Sequence, residues 1–136
     1  MYSILSYPGL LWVNIFVAVF LAILFLQSGI DKVINRKDEL SFLKQHFANS
    51  PLKNMEGLLL TTLTIFELTA GVFNALGFLQ LVFAKEKHFA QIGLIIAALS
   101  LTSLFFGQRI SKDYAGSETI VTYFILVIVG MYFAFL

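Results

Sequence analysis

One apolar stretch carries the residue types from which an intramembrane site can be built. Thr64, Glu67, Gly71 and Asn74 fall at i−3, i, i+4 and i+7 in a run otherwise rich in Leu and Phe, so on a helix they form a single polar stripe. Glu67 is the one ionisable side chain between residues 57 and 83. A carboxylate at lipid depth is costly unless it faces the bundle interior or is paired, which makes it a site by default. Gly71, one turn further on, removes bulk beside it. That gap either admits a neighbouring helix or leaves room for a ligand.

Other polar residues close in on the same region. Gln27 and Asp31 lie one turn apart at the end of the first apolar run, Gln91 begins the third, and Arg109 and Glu118 flank the connection between the third and fourth. Arg109 has a long stem and a planar fork suited to turning inward onto Asp31 or Glu67. The expectation is one polar cluster of Gln27, Asp31, Glu67 and Arg109, with Gln91 and Glu118 at its margin. A purely structural reading stands beside it. A buried Glu can hydrogen-bond a neighbouring helix for packing specificity, Asp31 and Arg109 can form a plain ion pair, and Asn74 can act as helix glue.

No nucleophile, base and electrophile constellation is recognisable, so no catalytic residue is assigned. The chain has no cysteine, which removes thiolate chemistry, disulfides and iron–sulfur ligation. His46 and His88 fall on connections at opposite membrane faces, so no metal or haem shared between them is expected. The phenylalanines around Phe66, Phe73, Phe78, Phe105 and Phe106 suit an aromatic pocket but are also ordinary interhelical filling. Gly93, Ala97, Ala98 and Ser100 mark close helix packing.

The elements that must position these residues follow from composition. Of 136 residues, 59% are hydrophobic and 12% charged, well beyond the apolar share of a soluble domain. The basic residues are spread over connections, which leaves no nucleic-acid footprint. Four apolar runs, at about 10–30, 57–83, 89–107 and 119–136, are each read as a membrane span. The second reaches roughly 40 Å as a helix, enough to cross a hydrocarbon core of about 30 Å with tilt. Tyr7 and Trp12 suit the outer headgroup level of the first, and Pro8 suits its start.

The connection 31–56 has room for a short interfacial helix. Asp38 is placed to cap it, Leu40, Leu43 and Phe47 repeat on one side, and Asn49-Ser50-Pro51 stops it. The fold expected is therefore all-α: an integral membrane four-helix bundle with one interfacial helix in its first connection. Seven basic residues lie on the two long connections against Lys85 and Lys87 on the tight turn. This bias puts the long connections in the cytoplasm and both termini outside.

Three segments carry a family resemblance: FLQSGIDKV closing the first span, FELTAGVFNALG inside the second, and GQRISKDYAG between the third and fourth. On these the chain resembles the DoxX-like family of small four-helix bacterial membrane proteins, over nearly its whole length. The resemblance implies a bundle in the bacterial cytoplasmic membrane, often an accessory subunit of respiratory or redox systems. Some relatives are tied to thiosulfate oxidation at quinone, and wider kin handle lipids or sterols. Relatives with thiol chemistry use cysteines that this chain lacks.

Three functions are weighed. The first is a non-catalytic accessory or interaction subunit of a larger membrane assembly, redox or export, or a homo-oligomer. The second is a binder or carrier of a lipophilic molecule, a quinone, isoprenoid or lipid, held near Glu67. The third, a proton-coupled transporter, ranks last, because no inverted repeat is seen. No metal or tightly held cofactor is expected beyond a bound quinone or lipid, and the surrounding partners are membrane lipids.

Overall fold

The computed structural model describes residues 9–136, which form five helices: α1 (Gly9–Ile34), α2 (Arg36–His46), α3 (Glu56–Ala84), α4 (His88–Ile110) and α5 (Tyr114–Ala134). No strand occurs among the described residues. The expected contributions of Tyr7 and Pro8 fall outside them. Helices α1, α3, α4 and α5 are long and apolar enough to cross a membrane, and the chain is a multi-pass membrane protein with an all-α four-helix bundle.

Each spanning helix begins before the apolar run that predicted it, and three also end beyond it; α5 stops at Ala134, two residues short of the expected end. Helix α1 continues through Asp31 and Lys32 to Ile34, α4 reaches Ile110, and α5 starts at Tyr114 instead of residue 119. Hydropathy marks only the part of a helix at lipid depth, whereas backbone hydrogen bonding carries on into the headgroup layer. At α5 the cause is local: Asp113 caps the helix by accepting a hydrogen bond from Gly116 N at 2.9 Å. Helix α2 begins at Arg36, two residues before the expected cap. Only Asn35 separates it from α1, and the Asn35 side chain donates back to Asp31 Oδ1 at 2.7 Å. Asp38 and Glu39 thus sit inside the first turn of α2, where the helix dipole favours acids.

Packing order around the ring is α1, α3, α4, α5, and α5 closes on α1. One end of the bundle holds the tight turn between α3 and α4. Lys85 ends α3 in a left-handed conformation (φ 55°), and Gln80 fastens the turn by accepting from Phe89 N through its side chain at 3.0 Å. Backbones touch nearby: a Cβ added at Gly77 would lie 2.7 Å from Ala90 Cα, and one at Gly93 would lie 3.0 Å from Asn74 N. Leu21 and Phe25 of α1, Ala70 of α3, Leu94 and Leu101 of α4 and Val127 of α5 fill the centre. Phe16, Ile23, Ile65 and Ile125 face outward, as lipid-facing side chains do.

The opposite end carries the long connections. Helix α2 lies there with Leu40 and Leu43 half-buried and Lys37, Lys44 and Gln45 exposed, and Phe47 just past its end is buried. This amphipathic split gives α2 its interfacial placement.

Candidate functional site

Glu67 is turned into the bundle, 2% exposed, and its cation is Lys32. The Lys32 ammonium stands 3.0 Å from Glu67 Oε2, and Ser28 Oγ donates a short hydrogen bond of 2.5 Å to Oε1. Lys32 Nζ in turn donates to Ser28 Oγ at 3.0 Å. Oε2 receives no aligned N–H of its own, so the Lys32 contact is an ion pair closed through the serine. Ser28 and Lys32 are four residues apart on α1 and so share one face. Glycines bring that face against α3: a Cβ on Gly71 would lie 2.8 Å from Leu26 N, and one on Gly29 would lie 3.1 Å from Leu68 N. Of the two roles open for Gly71, close helix approach is the one it fills.

The expected cluster of Gln27, Asp31, Glu67 and Arg109 does not assemble. Lys32 takes the position expected of Arg109, because α1 stays helical past residue 30 and turns Lys32, not Asp31, toward α3. Asp31 bonds Asn35 instead. Gln27 is exposed beside Phe20, Ile23 and Leu24 on the outer face. Arg109 is exposed and lies over the Tyr114 ring, 4.4 Å from its centroid. Glu118 is exposed on α5. Gln91 is at the tight-turn end, donating to Ala134 O at 2.8 Å.

The polar stripe on α3 does face inward, and most of it is spent on its own helix. Thr64 Oγ1 donates to Leu60 O and Asn74 Nδ2 to Ala70 O, each at 2.7 Å. Only Glu67 links helices.

Beside this polar junction lies a cavity of about 640 Å³ between α2, the first half of α3 and the last half of α4. Its walls are Phe42, Leu43 and Phe47 on one side and Leu59, Leu63 and Leu104 on the others. Leu58 and Phe106, which also line it, are 64% and 58% exposed. The polar lining includes Lys32, Glu39, His46, Gln108 and Asp113, so the Glu67 junction reaches the cavity through its lysine.

His46, read from sequence as a solvated residue, belongs to the roof of this cavity. Its Nε2 lies 2.7 Å from Ser111 Oγ and 3.8 Å from Asp113 Oδ2, and its ring stacks on Phe42 and meets Phe47 edge-on. The contact ties α2 to the connection between α4 and α5. Ser, His and Asp are together, but not as a hydrolytic relay. In a relay the acid orients one ring nitrogen while the other serves the nucleophile, whereas both oxygens here sit at Nε2.

Ser28, Lys32, His46, Gln108, Ser111 and Asp113 were absent from the residues expected to form the site. A signal for five of them was present: Ser28 and Lys32 lie in FLQSGIDKV, and Gln108, Ser111 and Asp113 in GQRISKDYAG. With Glu67 from FELTAGVFNALG, the three segments converge on one end of the bundle. Among the described residues no cluster of His, Asp or Glu is arranged to hold a metal ion. No protein-family model, curated protein or solved structure matches the chain.

Proposed function

We propose that this chain is a non-catalytic membrane protein that binds a lipophilic small molecule beneath α2. One observation carries the reading: a largely apolar cavity of about 640 Å³, with exposed Leu58 and Phe106 in its lining, holds at its polar side a lysine locked to a buried glutamate. That volume lies within the range of about 300 to 1,000 Å³ that encloses small ligands. Ion pairing fixes the Lys32 head, so a ligand meets a positioned donor instead of a mobile side chain. The DoxX-like resemblance supports the reading, because the three segments that carry it also build this end of the bundle. On the basic bias of the long connections, this end faces the cytoplasm of a bacterial inner membrane.

The test is mild-detergent purification followed by organic extraction and mass spectrometry, on wild type and on Gly107→Trp. A Cβ on Gly107 points at the Phe47 ring tip, 3.4 Å away, so the indole fills the cavity. A lipophile recovered in stoichiometric amount from wild type and lost from Gly107→Trp is the expected result. A protein partner retained with no small molecule would instead favour the accessory-subunit reading.

A further inference from the structure

We propose that a second copy of this chain docks along the outer face of α1, forming a parallel two-helix seam closed by reciprocal hydrogen bonds between the two Gln27 amides. The spacing of that face suits a helix partner. Between Leu11 and Lys32 the exposed residues of α1 are Phe16, Phe20, Ile23, Gln27 and Ile30, and Ile34 extends the row. Their separations are four, three, four, three and four residues, the heptad rhythm of a left-handed helix pair. Phe20, Gln27 and Ile34 take the first position of each heptad, and Phe16, Ile23 and Ile30 the fourth.

A groove of about 300 Å³ lies on this row, lined by Phe20, Ile23, Leu24 and Gln27. These stand at i, i+3, i+4 and i+7, the four-residue hole that receives one side chain of a facing helix. Two copies of one membrane chain insert with the same topology, so their α1 helices run parallel. In a symmetric parallel pair the side chain opposite this hole is Ile23 of the second copy, and that copy's hole takes Ile23 in return.

Gln27 decides what the occupant is. Its amide is exposed, and among the described residues no group bonds it. Ile30, Val33 and Ile34 lie exposed beyond it on the same helix, so the amide is set within the apolar surface and not at its edge. Acyl chains offer it neither donor nor acceptor. An amide carries both, so the same amide across a two-fold axis satisfies it, N–H to C=O in each direction. One polar residue in the first heptad position also fixes register, because a slipped pair would set each amide against an apolar side chain. None of the six residues in the row lines the cavity beneath α2, so the seam and the ligand site are tested separately.

Because the chain has no cysteine, a single introduced thiol reports contact between copies. The full-length protein carrying Ile23→Cys, reconstituted in phosphatidylcholine vesicles and oxidised, is expected to form a disulfide-linked dimer. Ile65→Cys and Ile125→Cys, at comparably exposed positions on α3 and α5, are expected to stay monomeric. Sedimentation of the unmodified chain in neutral detergent should show a monomer–dimer equilibrium, weakened about tenfold by Gln27→Leu as its interhelical hydrogen bonds are lost. Gln27 bonds nothing within one copy, so that variant keeps its fold. A monomer at every protein-to-detergent ratio, a dimer indifferent to Gln27→Leu, or cross-linking through Ile65→Cys or Ile125→Cys in place of Ile23→Cys overturns the proposal.

Discussion

At the tight-turn end a methyl group added at Gly77 would meet the Ala90 backbone at 2.7 Å, whereas one added at Gly107 would touch only the tip of the Phe47 ring, at 3.4 Å. The first end joins the backbones of α3 and α4 through small residues; at the second, the same two helices border a cavity beneath α2. Polar bonds cross between helices at both ends, through Gln91 and Gln80 at the tight end and through Glu67, Lys32 and His46 at the open one, but the ion pair between two spanning helices, Lys32 with Glu67, belongs to the open end. Close backbone packing supplies cohesion where the hydrophobic effect between helices is weak. The other end is thereby free to keep an opening that long side chains and one ion pair hold in shape.

Removing the lysine should disturb this arrangement most. Lys32→Met leaves the Glu67 carboxylate buried without its cation, and the expected loss is about 3–5 kcal/mol of stability. The double variant Lys32→Met/Glu67→Met should recover most of it, as read by unfolding in a detergent–denaturant titration. A double variant no more stable than the single would mean that the open end is not held by this pair.

Next comes Gly77→Ala, expected to cost about 1–3 kcal/mol, because its Cβ meets backbone that cannot step aside. Asp113→Ala removes the cap of α5 and the acidic partner of His46, with an expected loss of about 1 kcal/mol. The smallest effect has the opposite sign. Gly107→Ala should raise stability by about 0.5–1 kcal/mol, since it removes backbone freedom from a helix and meets only a movable ring. Melting Gly77→Ala and Gly107→Ala side by side sharpens the contrast: the same substitution should move the midpoint in opposite directions, and equal shifts would erase the distinction between the ends.

The four spans and the inward turn of Glu67 were legible in the sequence, because run length and a polar stripe are local signals. Its partner was not. Whether Asp31 or Lys32 faces α3 depends on how far α1 continues, and one residue of helix rotates a side chain by about 100°. Arg109 was drawn elsewhere by Tyr114, a nearby ring that no charge count reveals. His46 and Ser111 meet across 65 residues, and the cavity takes its lining from α2, α3 and α4 together, with the Phe47 ring reaching Gly107 of α4. Such features belong to tertiary docking and leave no periodicity to read.

The ion pair also bears on how the chain enters its membrane. Lys32 lies on α1 and Glu67 on α3, so the ribosome delivers the base well before the acid. An ionised side chain at the centre of a lone inserting helix carries a penalty of about 2.5–3.5 kcal/mol. Here the acid emerges to find a counter-ion already anchored, and biogenesis runs from cation to carboxylate. Exchanging the two residues would preserve the final contact but place the carboxylate, which has no long stem to reach the headgroups, on the helix that enters alone.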